Sequence, residues 1–112
     1  MPMMQHPPPF EPAQTTVLFS MPAEELPEHL PTVDEIESSP KLDNRPTRSI
    51  VRIKKHFFVK YGCDVHPTEA QNMKLARQHL GNLVPRVFAV YQRPRPNEPT
   101  ISYIIMEYVH GR

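Results

Sequence analysis

Lys60 and Glu69 are the two residues whose types and positions a plain hydrophobic core does not explain. Lys60 sits inside the apolar run Phe57-Phe58-Val59-Lys60-Tyr61, and Glu69 falls on the apolar stripe of the helix that the next segment predicts. A cation in a strand and an anion on a core-facing helix are each costly to bury singly and tolerable as a pair. A charge-assisted hydrogen bond to Glu69 would hold the Lys60 ammonium in one place. Phosphoryl transfer from ATP needs such a fixed positive charge at the phosphates, with an apolar slot for the adenine. The competing reading has Lys60 snorkelling to solvent and Glu69 capping the start of its helix.

Several elements must form to bring the two together. Residues 49–53 and 57–61 flank Lys54-Lys55-His56, which predicts a hairpin with a polar turn. Alternation along the second strand places Phe57, Val59 and Tyr61 on one face and Phe58 and Lys60 on the other. Gly62 ends the strand. Pro67-Thr68 opens a helix, Thr68 and Gln71 have capping-box spacing, and Gly81 is a natural stop. On a period of 3.6, Glu69, Met73, Ala76 and Leu80 lie within about 60° of one another. Residues 86–91 predict a strand bounded by Pro85, and 101–107 predict the last one. Between them, the proline density of Arg93-Pro94-Arg95-Pro96-Asn97-Glu98-Pro99 predicts a loop. The order β-β-α-β-β is α+β, an antiparallel sheet with one packed helix.

Composition divides the chain. Ten of the fifteen prolines lie at or before Pro46. Residues 1–44 carry eight Asp or Glu against Lys41 alone, a net of −7, whereas the remainder has twelve Lys or Arg against four acids, a net of +8. The acidic, proline-rich part buries too little apolar surface to offset its ordering entropy, so residues 1–29 read as a disordered tail. Residues 7–12 favour polyproline II geometry. Thr32 and Glu35 have capping-box spacing, which predicts a short helix at about 33–38 docked through Ile36. The expected organisation is therefore a tail over 1–29, a lead-in helix and linker over 30–47, and a folded lobe over 48–112.

Other chemistries find less support. Cys63 is the single cysteine, so no disulfide framework exists, and a reduced cytoplasmic setting is expected. No run approaches the ~18 apolar residues of a membrane span. The start of the chain does not read as a secretory signal. The histidines lack the spacing of metal ligands, and Cys63 has no His-acid partner around it. The +8 balance, with Phe57, Phe58 and Tyr61 as stacking candidates, leaves open a small polyanion or nucleic-acid module. A protein-interaction module without a ligand is a further alternative.

Read as a series, Phe58-Val59-Lys60-Tyr61-Gly62, Glu69-Ala70, Val84-Pro85-Arg86-Val87 and Ile105-Met106-Glu107-Tyr108-Val109-His110-Gly111 resemble one family. They are similar to the small lobe of fungal phosphotransferases grouped with aminoglycoside phosphotransferases and choline kinase, on the protein-kinase-like fold. Pro31-Thr32-Val33-Asp34-Glu35-Ile36 looks like the lead-in helix seen there, so the resemblance spans residues 30–112. It implies an ATP-binding lobe in which Lys60 and Glu69 pair at the phosphates and Met106 takes the gatekeeper position. The Glu107 carbonyl and the Val109 amide would bond adenine, with Gly111 as a flexible exit.

Two departures qualify the resemblance. No glycine occurs in residues 50–55, so a G-x-G-x-x-G phosphate loop is missing before Lys60. The family's catalytic Asp and its metal-binding Asp belong to the large lobe, and no residue here matches either. Without a base and a Mg²⁺ ligand, turnover by these residues alone is not expected. A truncated gene, a separately encoded catalytic lobe or a degenerate member would each account for the chain ending at Arg112. An isolated lobe is also expected to expose an apolar patch near Phe58, Ile104 and Met106.

Overall fold

The computed structural model describes residues 15–109. In chain order these form β1 (Thr16–Ser20), a 3-10 turn (Ala23–Glu25), α1 (Val33–Ser38), β2 (Lys41–Arg45), β3 (Arg48–Ile53), β4 (Phe57–Gly62), α2 (Pro67–Leu80), a second 3-10 turn (Gly81–Leu83), β5 (Val87–Arg95) and β6 (Glu98–Glu107). All six strands join one antiparallel sheet in the order β1-β5-β6-β4-β3-β2. The class is α+β, and β3, β4, α2, β5 and β6 stand in the expected order.

The strand period of two divides the apolar residues between two clusters, one on each face of the sheet. Phe57, Val59, Tyr61, Tyr103 and Ile105 are buried on one face with Ile36 of α1 against them. Ile104, Met106, Val87 and Val90 are buried on the other, covered by Val65 and by Ala70 of α2. The α1 helix is held by the expected box: Glu35 N–H donates to Thr32 Oγ1 at 3.1 Å and Thr32 N–H to Glu35 Oε1 at 2.9 Å. A polar tie reinforces its docking. The buried Tyr103 hydroxyl donates to Glu37, and Arg93 donates to Glu37 at 2.7 Å and to the Tyr103 oxygen at 3.0 Å.

Several expectations are corrected. The expected tail does not extend to residue 29, because Thr16–Ser20 pairs with β5 and Met21 N–H donates to Phe88 O at 2.9 Å. Thr16-Val17-Leu18-Phe19 is a proline-free, β-prone run, which the average composition of the acidic half concealed. Residues 1–14, including the polyproline reading of 7–12, lie outside the described residues, as do His110 and Gly111. The linker after α1 is likewise a strand: the polar Lys41–Arg45 pairs with β3 as an edge, where burial is not required.

Residues 93–99 form a hairpin rather than a loop. β5 runs to Arg95, β6 begins at Glu98, and Asn97 takes φ +59° in the turn. Pro94 falls at the register shift between Arg93 and Arg95, beyond the Gln92–Thr16 pair, so its missing N–H costs no ladder bond. Leu80 shares the expected inward stripe but is 53% exposed, because only the first half of α2, at Ala70 and Met73, lies against the sheet. Ile104 and Met106 do not form an exposed patch. They are 0% and 7% exposed beneath Phe19, Phe58, Met73 and α2.

Gly62 ends β4 at φ +147°, and a Cβ there would lie 2.1 Å from Thr47 O. The missing side chain lets the β2–β3 turn close on the next loop, where Asp64 N–H donates to Thr47 O at 3.0 Å. Among the described residues, no helix is long and apolar enough to cross a membrane.

Candidate nucleotide site

The pleat of β4 turns Phe58 and Lys60 to the face covered by α2, and Pro67 starts that helix so that Glu69, in its first turn, reaches Lys60. Lys60 Nζ lies 2.8 Å from Glu69 Oε1. The second carboxylate oxygen, Oε2, accepts the His66 N–H at 3.4 Å. Ion pairing and helix capping, which the sequence offered as competing roles for Glu69, therefore coexist on its two oxygens. The box at this helix start joins Glu69 to His66, not Thr68 to Gln71 as the spacing suggested.

The pair is not buried in the core. Lys60 and Glu69 side chains are 24% and 38% exposed, so both charges reach the rim of the sheet-helix seam. Partial desolvation pushes the Glu69 carboxyl up, but hydrogen bonds from Lys60 and His66, with the Lys60 charge, leave it below its ordinary value of 4.5. A half-solvated ammonium fixed in position is suited to meet an incoming anion, whereas a sealed pair would not be.

An apolar cavity opens two residues along β4 on the same face. Phe58, Pro85, Met106, Glu107, Tyr108 and Val109 enclose about 170 Å³. Cross-strand pairing explains how these residues meet, since Phe58 opposes Met106 and Lys60 opposes Ile104. Two residues of strand span roughly 7 Å, so the cavity and the ammonium are neighbours. Its volume is about half the ~300 Å³ lower bound of small-ligand pockets, which suits one flat ring system.

The segment leaving β6 is anchored on both sides. Glu107 N–H donates to Arg86 O at 2.8 Å, Arg86 N–H returns a bond to the Glu107 carboxylate at 3.1 Å, and Tyr108 N–H donates to His56 O at 2.9 Å. Neither the Glu107 carbonyl nor the Val109 amide takes part in these bonds. The Arg52 guanidinium lies 3.9 Å from the centre of the Tyr108 ring.

Lys60 and Glu69 thus meet at the seam and Met106, Glu107 and Val109 line the cavity, but Glu107 opposes Phe57, so the strand period turns its carboxylate toward the other face, where it accepts the Arg86 N–H. Sequence reasoning missed Pro85 and Tyr108 as walls of that cavity. The available signal was register, because setting Phe58 opposite Met106 brings both neighbours with it. Elsewhere several of the basic residues are drawn into local contacts. Arg77 donates to Val84 O at 2.5 Å, Arg93 pairs with Glu37 and Arg95 with Glu98 at 2.9 Å, and Lys74 stands 3.4 Å over the Phe19 ring. Cys63 is half-buried, and among the described residues no three His, Cys, Asp or Glu side chains converge as metal ligands.

Comparison with protein-family models finds no match, and comparisons with curated proteins and with solved structures find none either.

Proposed function

We propose that residues 48–109 are a nucleotide-binding lobe of protein-kinase-like type, related to the small lobe of aminoglycoside phosphotransferases and choline kinase. The observation that carries this reading is the 2.8 Å Lys60–Glu69 bond on the same sheet face as the Phe58–Met106 cavity. Adenine would enter the cavity against Phe58 and Met106. The Glu107 carbonyl and the Val109 amide would bond its edge, and Lys60, braced by Glu69, would meet the phosphates.

The proposal is binding, not turnover. Residues 1–112 contain no match to the base or the Mg²⁺-holding carboxylate of the resembled family, so catalysis requires a second lobe that supplies them. A polyanion-binding reading draws no comparable support, because Arg77, Arg93 and Arg95 already serve internal partners.

Calorimetric titration of the full chain with ATP and Mg²⁺ tests the reading. Saturable binding is expected, with adenosine competing and Lys60→Met weakening ATP by about tenfold or more, the effect of a lost charge-assisted contact. Absence of ATP binding by the folded wild-type chain would overturn it. So would equal affinity in Lys60→Met.

A further inference from the structure

The sheet has two edges, and they differ in a way that points to a partner. Among the described residues, β1 is one edge, pairing with β5 alone, and β2 is the other, pairing with β3 alone. Each carries a bulge at an exposed leucine, Leu18 at 48% and Leu42 at 64% exposure. Geometry is therefore matched between them, and charge is not. β2 reads Lys-Leu-Asp-Asn-Arg between Pro40 and Pro46, with the charges and prolines that keep sheet edges apart. β1 reads Thr-Val-Leu-Phe-Ser, and the run from Thr15 to Met21 contains neither a charge nor a proline.

We propose that β1 is a self-association edge, on which a second copy of this chain pairs antiparallel about a two-fold axis to continue the sheet. Such an axis sets one strand against itself. Every cross-strand pair available within Thr16–Ser20 is then hydroxyl or apolar, and Val17, 56% exposed, and Leu18 become covered. The same operation on the full length of β2 sets Lys41 against Arg45 and Asp43 against Asp43, which is repulsive at every charged position. A formal net charge of +1 adds little long-range repulsion between copies. A five-residue ladder buries less than the ~1,200 Å² of a standard interface, so the dimer is weak and concentration-dependent.

Sedimentation equilibrium of the full chain from about 1 μM to about 1 mM reads this directly. The expected weight-average mass rises from 13.0 kDa toward twice that value. Leu18→Lys sets like charges against each other at the axis and, as a second variant, Val17→Lys brings a charge into the apolar pair of positions 17 and 19; each weakens association by tenfold or more, with far-UV circular dichroism unchanged. Leu42→Lys leaves it intact. A wild-type mass that stays monomeric throughout, or association that survives both β1 variants, overturns the proposal.

Discussion

Glu69 holds two donors from different elements at once, Lys60 Nζ of β4 on Oε1 and its own helix's His66 N–H on Oε2. One carboxylate thereby ties the strand carrying the cation to the helix start above it. Because the side chains are 24% and 38% exposed, solvent screens the pair and its share of folding stability stays below about 1 kcal/mol. Lys60→Met should therefore unfold at nearly the wild-type urea midpoint while losing about tenfold or more in ATP affinity. Glu69→Gln, which retains the helix cap and loses the charge, should show the smaller loss of the two. Equal losses of stability and affinity would mean that the pair is structural only.

The pH dependence follows from the lowered Glu69 carboxyl. A group whose pKa falls on folding adds stability above its ordinary value, here 4.5, and loses it as pH falls through the lower folded value. Glu28, lowered chiefly by its hydrogen bond with His56, and Glu35, lowered chiefly by the Thr32 N–H, act in the same window. The Glu69 share is isolated by difference. Urea midpoints of wild type and Glu69→Gln should keep a constant gap from about pH 7 down to 4.5 and converge below it. A gap that widens on acidification would contradict the assigned direction.

The interior of the fold was legible because its signals are periodic. Alternation along 57–61 predicted the two faces of β4, and the Thr32–Glu35 box predicted α1 and the docking of Ile36, now fully buried. The edges were not legible. β2 is too polar to announce a strand, β1 was averaged into a proline-rich half, and Pro94 sits where a bulge removes the need for its N–H. The candidate site shows the same division. Lys60 and Glu69 were readable as two misplaced charges, whereas Pro85 and Tyr108 became visible as cavity walls only once the register of β4 on β6 was fixed.

Gly62→Ala should be among the most damaging small substitutions in the chain. The position needs φ +147°, and the added Cβ would meet the Thr47 carbonyl at 2.1 Å, a backbone atom that cannot rotate aside. Strain of this kind costs about 1–3 kcal/mol before the clash is relieved, and relief requires moving the β2–β3 turn. A loss above ~2 kcal/mol in chemical denaturation is expected. A loss under ~0.5 kcal/mol would show that the turn yields freely and that Gly62 is not required.

The lead-in helix supplies the last test, because it separates a docked element from a passive linker. Ile36 is 0% exposed against the sheet cluster, so Ile36→Ala should cost about 2–5 kcal/mol through lost contact and residual cavity. Thr32→Ala removes only the cap at the helix start and should cost about 1 kcal/mol. Tyr103→Phe leaves Glu37 with Arg93 but deletes the hydroxyl joining α1 to β6, for a loss of about 1–2 kcal/mol. The ranking matters more than any one value, since α1 grips the sheet through a buried side chain first and through polar ties second. If Ile36→Ala cost no more than Thr32→Ala, the apolar grip would be negligible and α1 would sit on the sheet by hydrogen bonds alone.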